Sequence, residues 1–215
     1  MGFTPLLMHS DTGRYQLKGN NLVNIEEFRA ATEINLKNMT DSLPESIKKR
    51  EDEFFLQIEK SELSHLKKLE KLYSFMDVLY KHVNKYTACK KGCSYCCYYY
   101  ATISDIEMQF IEMKNKKIKR KEPFNTDNKE VGNPCLFLKN GGCSIYESRP
   151  YVCRRHVMLT PDNSFCIEDD AQKRTLQLLT WSKLDKSYDL IRAASGSGKL
   201  HDIRDVFEKI INIKG

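Results

Sequence analysis

Cys89-Lys-Lys-Gly-Cys93-Ser-Tyr-Cys96-Cys97 decides how this chain folds. Packing alone does not account for four thiols in nine residues. The chain has eight cysteines, all between Cys89 and Cys166. A thiophilic metal needs thiolates converging at about 2.3 Å, typically four of them for zinc. The Cys-x3-Cys and Cys-x2-Cys spacings let one turn present several thiols together, and the other ligands must then come from distant sequence. Cys135 and Cys143 flank a turn at Asn140-Gly-Gly142, which brings them near each other at its base. Cys153 and Cys166 follow, Cys166 beyond a loop at the edge of the pattern. His156, three residues after Cys153, is the only histidine inside the cluster; its imidazole suits a ligand, a group behind the ligands or a proton carrier. His9, His65, His82 and His201 lie outside the cluster.

Upstream of the cluster the chain reads as helix. Residues 1–23 look irregular, with Gly13, Gly19 and Asn20-Asn21 as breakers. Asn24 with Glu27 predicts an N-cap for a helix over about 25–39, and Ser42-Leu-Pro44-Glu45 starts another. From Glu45 to Lys91 there is neither Gly nor Pro. Leu63, Leu66, Leu69, Leu72, Met76, Leu79 and Val83 recur at three- and four-residue steps, an apolar helical stripe, with Ser61 as a candidate break.

Downstream, Ser104 with Glu107 forms a second capping box and predicts a helix over 105–119; residues 122–134 read as loop. Two short apolar runs around Asn140-Gly-Gly142 predict a small β-hairpin. Helices are expected over 168–194 and 200–212, separated by Ser195-Gly-Ser-Gly198. The fold class is therefore mainly α: a helical domain with a small metal-organised cysteine module containing a short β-hairpin. The expected division is an N-terminal helical extension over 1–88, the metal-binding module over 89–166, and C-terminal helices over 167–215 packing on that module.

Length and composition suit one globular unit: 215 residues, 40% hydrophobic and 30% charged. No apolar run approaches the ~20 residues that span a bilayer, and the N-terminus lacks the basic start and apolar core of a signal peptide. The expectation is a cytoplasmic protein without membrane contact, whose reduced thiols serve as metal ligands or redox groups. In a secreted chain the same eight could form four disulfides. The net charge of +6 is uneven: Lys114 to Lys121 carries six cations in eight residues. No aromatic residues interleave that run for base stacking, so it reads as a solvated helix end and nucleic acid is not the expected partner. A protein partner remains open and unidentified.

Eight thiols divide in several ways: two four-cysteine zinc sites, one bridged binuclear site, or an iron–sulfur cluster on four cysteines with the others elsewhere. Three ordered blocks sharpen this reading: Cys89-x3-Cys93-x2-Cys96-Cys97, then Pro134-Cys135-x-Phe137-Leu138, then Gly142-Cys143-Ser-Ile-Tyr146-x2-Arg149-Pro150-x2-Cys153-Arg154. Together they resemble the bacterial cysteine-cluster (CxxxCxxCC) family of zinc- or iron-chelating domains, over residues 89–166. The resemblance implies zinc or iron, or an iron–sulfur cluster, held by Cys89, Cys93, Cys96, Cys97, Cys135, Cys143, Cys153 and Cys166. A similar cluster in flagellin lysine N-methylases adds a metalloenzyme alternative, methyltransferase-like or redox, without naming catalytic residues. Residues 1–88 fall outside it. Arg149 and Arg154 fit carboxylate pairing or compensation of thiolate charge; Tyr146 and Phe137 fit packing over the site, and Pro134 and Pro150 fit turns.

Two other patterns fail. Cys89-x3-Cys93-x2-Cys96 matches the radical S-adenosylmethionine spacing, but the 118 residues after Cys97 show no alternating strands and helices for a partial barrel. Gly196-Ser-Gly198-Lys199 resembles a phosphate loop, yet Ala193 stands where its first glycine belongs and Leu200 where Ser or Thr belongs.

Overall fold

The computed structural model describes residues 15–16, 22–23, 25–121, 133–163, 166, 179–196 and 198–208. Over these residues the chain is mainly α, with strands only in short antiparallel pairs. The helices are α1 (Ile25–Asp41), α2 (Glu45–Glu59), α3 (His65–Val83), α4 (Asp105–Lys114), α5 (Tyr151–Arg155), α6 (Ser182–Ala194) and α7 (Ile203–Val206). The strand pairs are β1 (Tyr15–Gln16) with β2 (Leu22–Val23), β3 (Thr102–Ser104) with β6 (Leu200–Asp202), and β4 (Leu138–Lys139) with β5 (Gly142–Cys143). None of the described helices is long and apolar enough to cross a membrane.

The long Gly- and Pro-free stretch divides as its serines suggest. α2 closes at Glu59, and Ser61 then turns its hydroxyl back on the chain, accepting from the Leu63 amide at 3.2 Å. Leu63 therefore lies in the turn and stays exposed, while Leu69, Leu72, Met76, Leu79 and Val83 of the stripe are buried on α3. α6 packs against both α2 and α3. These helices share one core with Met39 of α1, Phe110 of α4 and Trp181 ahead of α6.

Four local expectations change. Within the stretch expected to be irregular, Tyr15–Gln16 pairs with Leu22–Val23. α4 stops at Lys114 instead of 119, because Asn115 leaves helical geometry (φ −136°, ψ 78°). Its side-chain amide donates to the Ile111 carbonyl at 3.0 Å and to Ser148 Oγ at 2.8 Å, closing the helix end on the following module. α6 begins at Ser182, with Trp181 extended before it; residues 168–178 of the expected helix lie outside the described residues. The expected helix over 200–212 opens instead as β6, in register Thr102↔Asp202, Ile103↔His201 and Ser104↔Leu200. Asp202 then caps the four-residue α7, accepting from the Arg204 amide at 2.9 Å. The end of α7 is captured as well, since the Lys121 amide donates to the Val206 carbonyl at 2.9 Å and Phe207 bridges Arg120. Residues 209–212, the Asn24 cap and the loop over 122–132 lie outside the described residues.

β3, β6, α7 and the hairpin enclose a second core of Ile103, Met108, Ile111, Phe137, Ile145, Ile203, Val206 and Phe207. Phe137 and Phe207 meet edge to face there, centroids 5.5 Å apart. The cysteine-bearing segments lie between the two cores. Cys89 packs on the first, while Cys135, Cys143 and Cys153 pack on the second.

Candidate metal centre

α3 delivers the chain to the first cysteines. Beyond its end the Cys89 amide donates to Thr87 Oγ1 at 3.0 Å, and the Thr87 hydroxyl bonds the Met158 carbonyl. The Met158 amide in turn donates to Cys89 Sγ at 3.5 Å, so Cys89 is fixed against residues far along the chain. Gly92 takes a positive φ of 99°, open to glycine and rarely to others, and turns the chain so that the Cys93 amide donates to the Lys90 carbonyl at 2.9 Å. A single 3-10 turn, Tyr95–Tyr98, carries Cys96 and Cys97.

The hairpin supplies the next two. Asn140 and Gly141 have φ of 50° and 75°. Positive φ at both central residues is the primed turn that fits the twist of a two-residue hairpin. The turn sets Leu138 opposite Cys143, and the Cys135 amide donates to the Cys97 carbonyl at 2.8 Å. Cys153 arrives on α5, started by Pro150.

Seven thiols from these three segments line one cavity of about 90 Å3: Cys89, Cys93, Cys96, Cys97, Cys135, Cys143 and Cys153. His156 lines it too, edge-on to the Tyr99 ring with centroids 5.6 Å apart. No Asp or Glu does, among the described residues, while Lys90, Arg149 and Arg154 stand on the wall. Cys166 is not on the wall. It is buried, its thiol 3.6 Å from Met158 Sδ, behind the residue that holds Cys89. No disulfide joins any of the eight cysteines, all of which are among the described residues.

Burial pushes Cys135 up to about 11, and raises Cys143, Cys93 and, furthest among these, Cys153. The side-chain contact between Cys96 and Cys97 raises Cys96 strongly and lowers Cys97, with the Arg204 charge helping. Burial, with the Arg155 charge, lowers His156 to about 4 and leaves a neutral imidazole at neutral pH.

Arg204 escapes a reading of the sequence. Its side chain is 4% exposed and pairs with the equally enclosed Asp202, with both carboxylate oxygens within 3.0 Å of Nη1. It also donates to the carbonyls of Asn133 (3.0 Å), Tyr99 (2.6 Å) and Cys97 (3.4 Å). One guanidinium therefore ties the Cys96–Cys97 turn, the approach to Cys135 and the end of β6 together. The only clue in the sequence is an Asp two residues before an Arg, which is ordinary on a solvated surface. Of the two expected arginines, Arg154 pairs with Asp77 at 2.6 Å and lies 4.2 Å over the Tyr73 ring. Arg149 stacks on Tyr146 at 3.7 Å, its charge within range of Cys143 and Cys153, and its Nε is buried with no hydrogen-bond acceptor. The basic run is partly neutralised, with Lys114 on Glu70 and Arg120 on Glu112.

Soft donors, one neutral imidazole, no carboxylates and flanking cations suit zinc or iron bound through thiolates, and do not suit a hard cation that requires oxygen ligands. The thiols share a wall without yet closing on a point: among the described residues no three Cys, His, Asp or Glu side chains are set as a bound ion requires. Residues 88–177, under half of the chain, match the model of the CxxCxxCC family, described as a "putative zinc- or iron-chelating domain". All eight cysteines fall within that match. No curated protein and no solved structure matches the chain.

Proposed function

We propose that this cysteine-cluster domain binds zinc or iron through its cavity thiolates, and that the metal joins the two cores of the fold. One observation carries the reading: seven thiols from three separated segments line a single cavity with no carboxylate on its wall among the described residues. Each Sγ turns on one bond, and the seven side chains line one space. Burial disfavours the bare thiolates, and a cation offsets that cost while displacing their protons. Arg149 and Arg204 reduce the remaining negative charge. Cys166 stands behind the wall and is the thiol least suited to ligation.

The test is metal and acid-labile sulfide analysis, with an absorption spectrum, on protein purified without oxygen. The expected result is stoichiometric zinc or iron that falls when Cys93 or Cys143 is replaced by Ser. Eight titratable thiols with neither metal would sink the reading, as would unchanged metal content in both variants.

A further inference from the structure

Arg149 carries a hydrogen-bond donor that no group among the described residues answers. Its Nε is buried without an acceptor, whereas a terminal nitrogen of the same guanidinium donates to the Tyr146 carbonyl at 3.5 Å. A buried donor left unsatisfied destabilises a fold, so its retention calls for an acceptor that arrives later. The group is also held in place. The guanidinium lies over the Tyr146 ring, 3.7 Å from its centroid. The Arg149 carbonyl accepts from Arg154 Nε at 3.1 Å, and Arg154 is itself buried and tied to Asp77. Pro150 follows at once and starts α5.

Arg149 lines the same cavity as the seven thiols. In the chain it stands between Cys143 on β5 and Cys153 on α5, and its charge acts on both. Among the described residues no carboxylate on the wall is there to accept from it. A thiol sulfur accepts weakly, and a thiolate accepts in a stronger, charge-assisted bond. His156 offers only a neutral nitrogen. The wall therefore gains its strong acceptors when the thiols lose their protons, and metal binding is the event that displaces them.

We propose that Arg149 is a positioning residue of the metal centre, its Nε–H donating to a metal-bound thiolate of Cys143 or Cys153. The inference rests on the metal-binding reading above and goes beyond it, because charge compensation alone needs no bond from one particular nitrogen. The donor is unanswered in the metal-free protein and answered in the loaded one, so Arg149 favours the loaded form. It also draws electron density from the sulfur it meets.

Cobalt(II) is the probe, titrated without oxygen into the reduced, metal-free full chain and followed by its thiolate charge-transfer absorption. Arg149→Lys keeps the charge and loses the Nε–H; Arg149→Met loses both. Both variants should bind cobalt about 10- to 100-fold more weakly. In both, the charge-transfer band should move to longer wavelength, because a thiolate without its donor gives up an electron more easily. Arg149→Met should lower the melting temperature more in the cobalt-loaded form than in the metal-free form, a difference that a merely structural role would not produce. A band returned to its wild-type position by Arg149→Lys would mean that charge alone acts, and would overturn the bond. An unchanged band in Arg149→Met, or equal lowering of both melting temperatures, would overturn it too and leave metal binding intact. If Arg149→Met does not fold, the band of Arg149→Lys still decides. Absence of cobalt binding by the wild type would overturn the metal-binding reading and this inference with it.

Discussion

At the scale of single residues, Arg204 bears more of the site's geometry than its place in the sequence suggests. Removing it leaves the Asp202 carboxylate buried without its partner and takes the donor from the Tyr99, Asn133 and Cys97 carbonyls. Breaking a buried ion pair from one side costs about 3–5 kcal/mol. Arg204→Met is therefore expected to lower stability by roughly that amount and to weaken metal binding with it. Arg204→Lys should recover only part, because a single ammonium cannot reach the carboxylate and separate carbonyls as a planar fork does. Urea unfolding of both variants checks this, and equal midpoints for Arg204→Met and wild type would refute it. The cysteines were legible in the sequence because their density is improbable for any other role. Arg204 was not, since the carbonyls it binds lie 71 to 107 residues away and an Asp two residues before it does not distinguish it from a solvated charge.

At the scale of elements, Glu107 shows how far local reading extends. The capping box predicts that Glu107 reaches back to Ser104, and it does, accepting from both the Ser104 amide and hydroxyl at 2.8 Å. Its other bonds come from elements that the local sequence does not announce. Tyr73 of α3 donates at 2.7 Å, Tyr188 of α6 at 2.6 Å, and the Tyr151 amide at the start of α5 at 2.6 Å. One buried carboxylate thus joins β3, α3, α4, α6 and the helix that carries Cys153. Each of its oxygens faces a backbone amide: Oε1 that of Tyr151, Oε2 that of Ser104. Glu107→Gln must set an NH2 group against one of those amides, and an unsatisfied buried donor costs on the order of 1–3 kcal/mol. The expected outcome is a melting temperature lowered by several degrees, and a variant as stable as wild type would remove the argument. The same limit explains the misread C-terminal segment. Residues 200–202 carry no strong strand pattern, and they are extended because β3 is there to pair with them. The hairpin was legible because its turn chemistry is local, in Asn140 and Gly141.

At the scale of the whole molecule, the two cores differ in what closes them. The first is built mainly from buried faces of α2, α3, α4 and α6, and only Cys89 of the described cysteines packs against it. The second is smaller, and Cys135, Cys143 and Cys153 pack against it while also lining the cavity. Metal binding contributes folding free energy where the ligands come from distant segments, and here it links the 3-10 turn, the hairpin and α5. Removing the metal should therefore loosen the second core and spare the first. The expected result for chelator-treated, reduced protein is far-UV circular dichroism close to that of the metal-loaded form, because α1, α2, α3 and α6 persist. Amide hydrogen exchange should accelerate in residues 93–99, 135–145 and 200–207 while α3 stays protected. Uniform loss of protection in both cores would mean that the molecule is one cooperative unit. Unchanged exchange in the hairpin would mean that the metal does not support the fold, and either result would refute the two-core account. Such a partition is invisible in the sequence, where the cysteines mark the site but not which apolar residues depend on it.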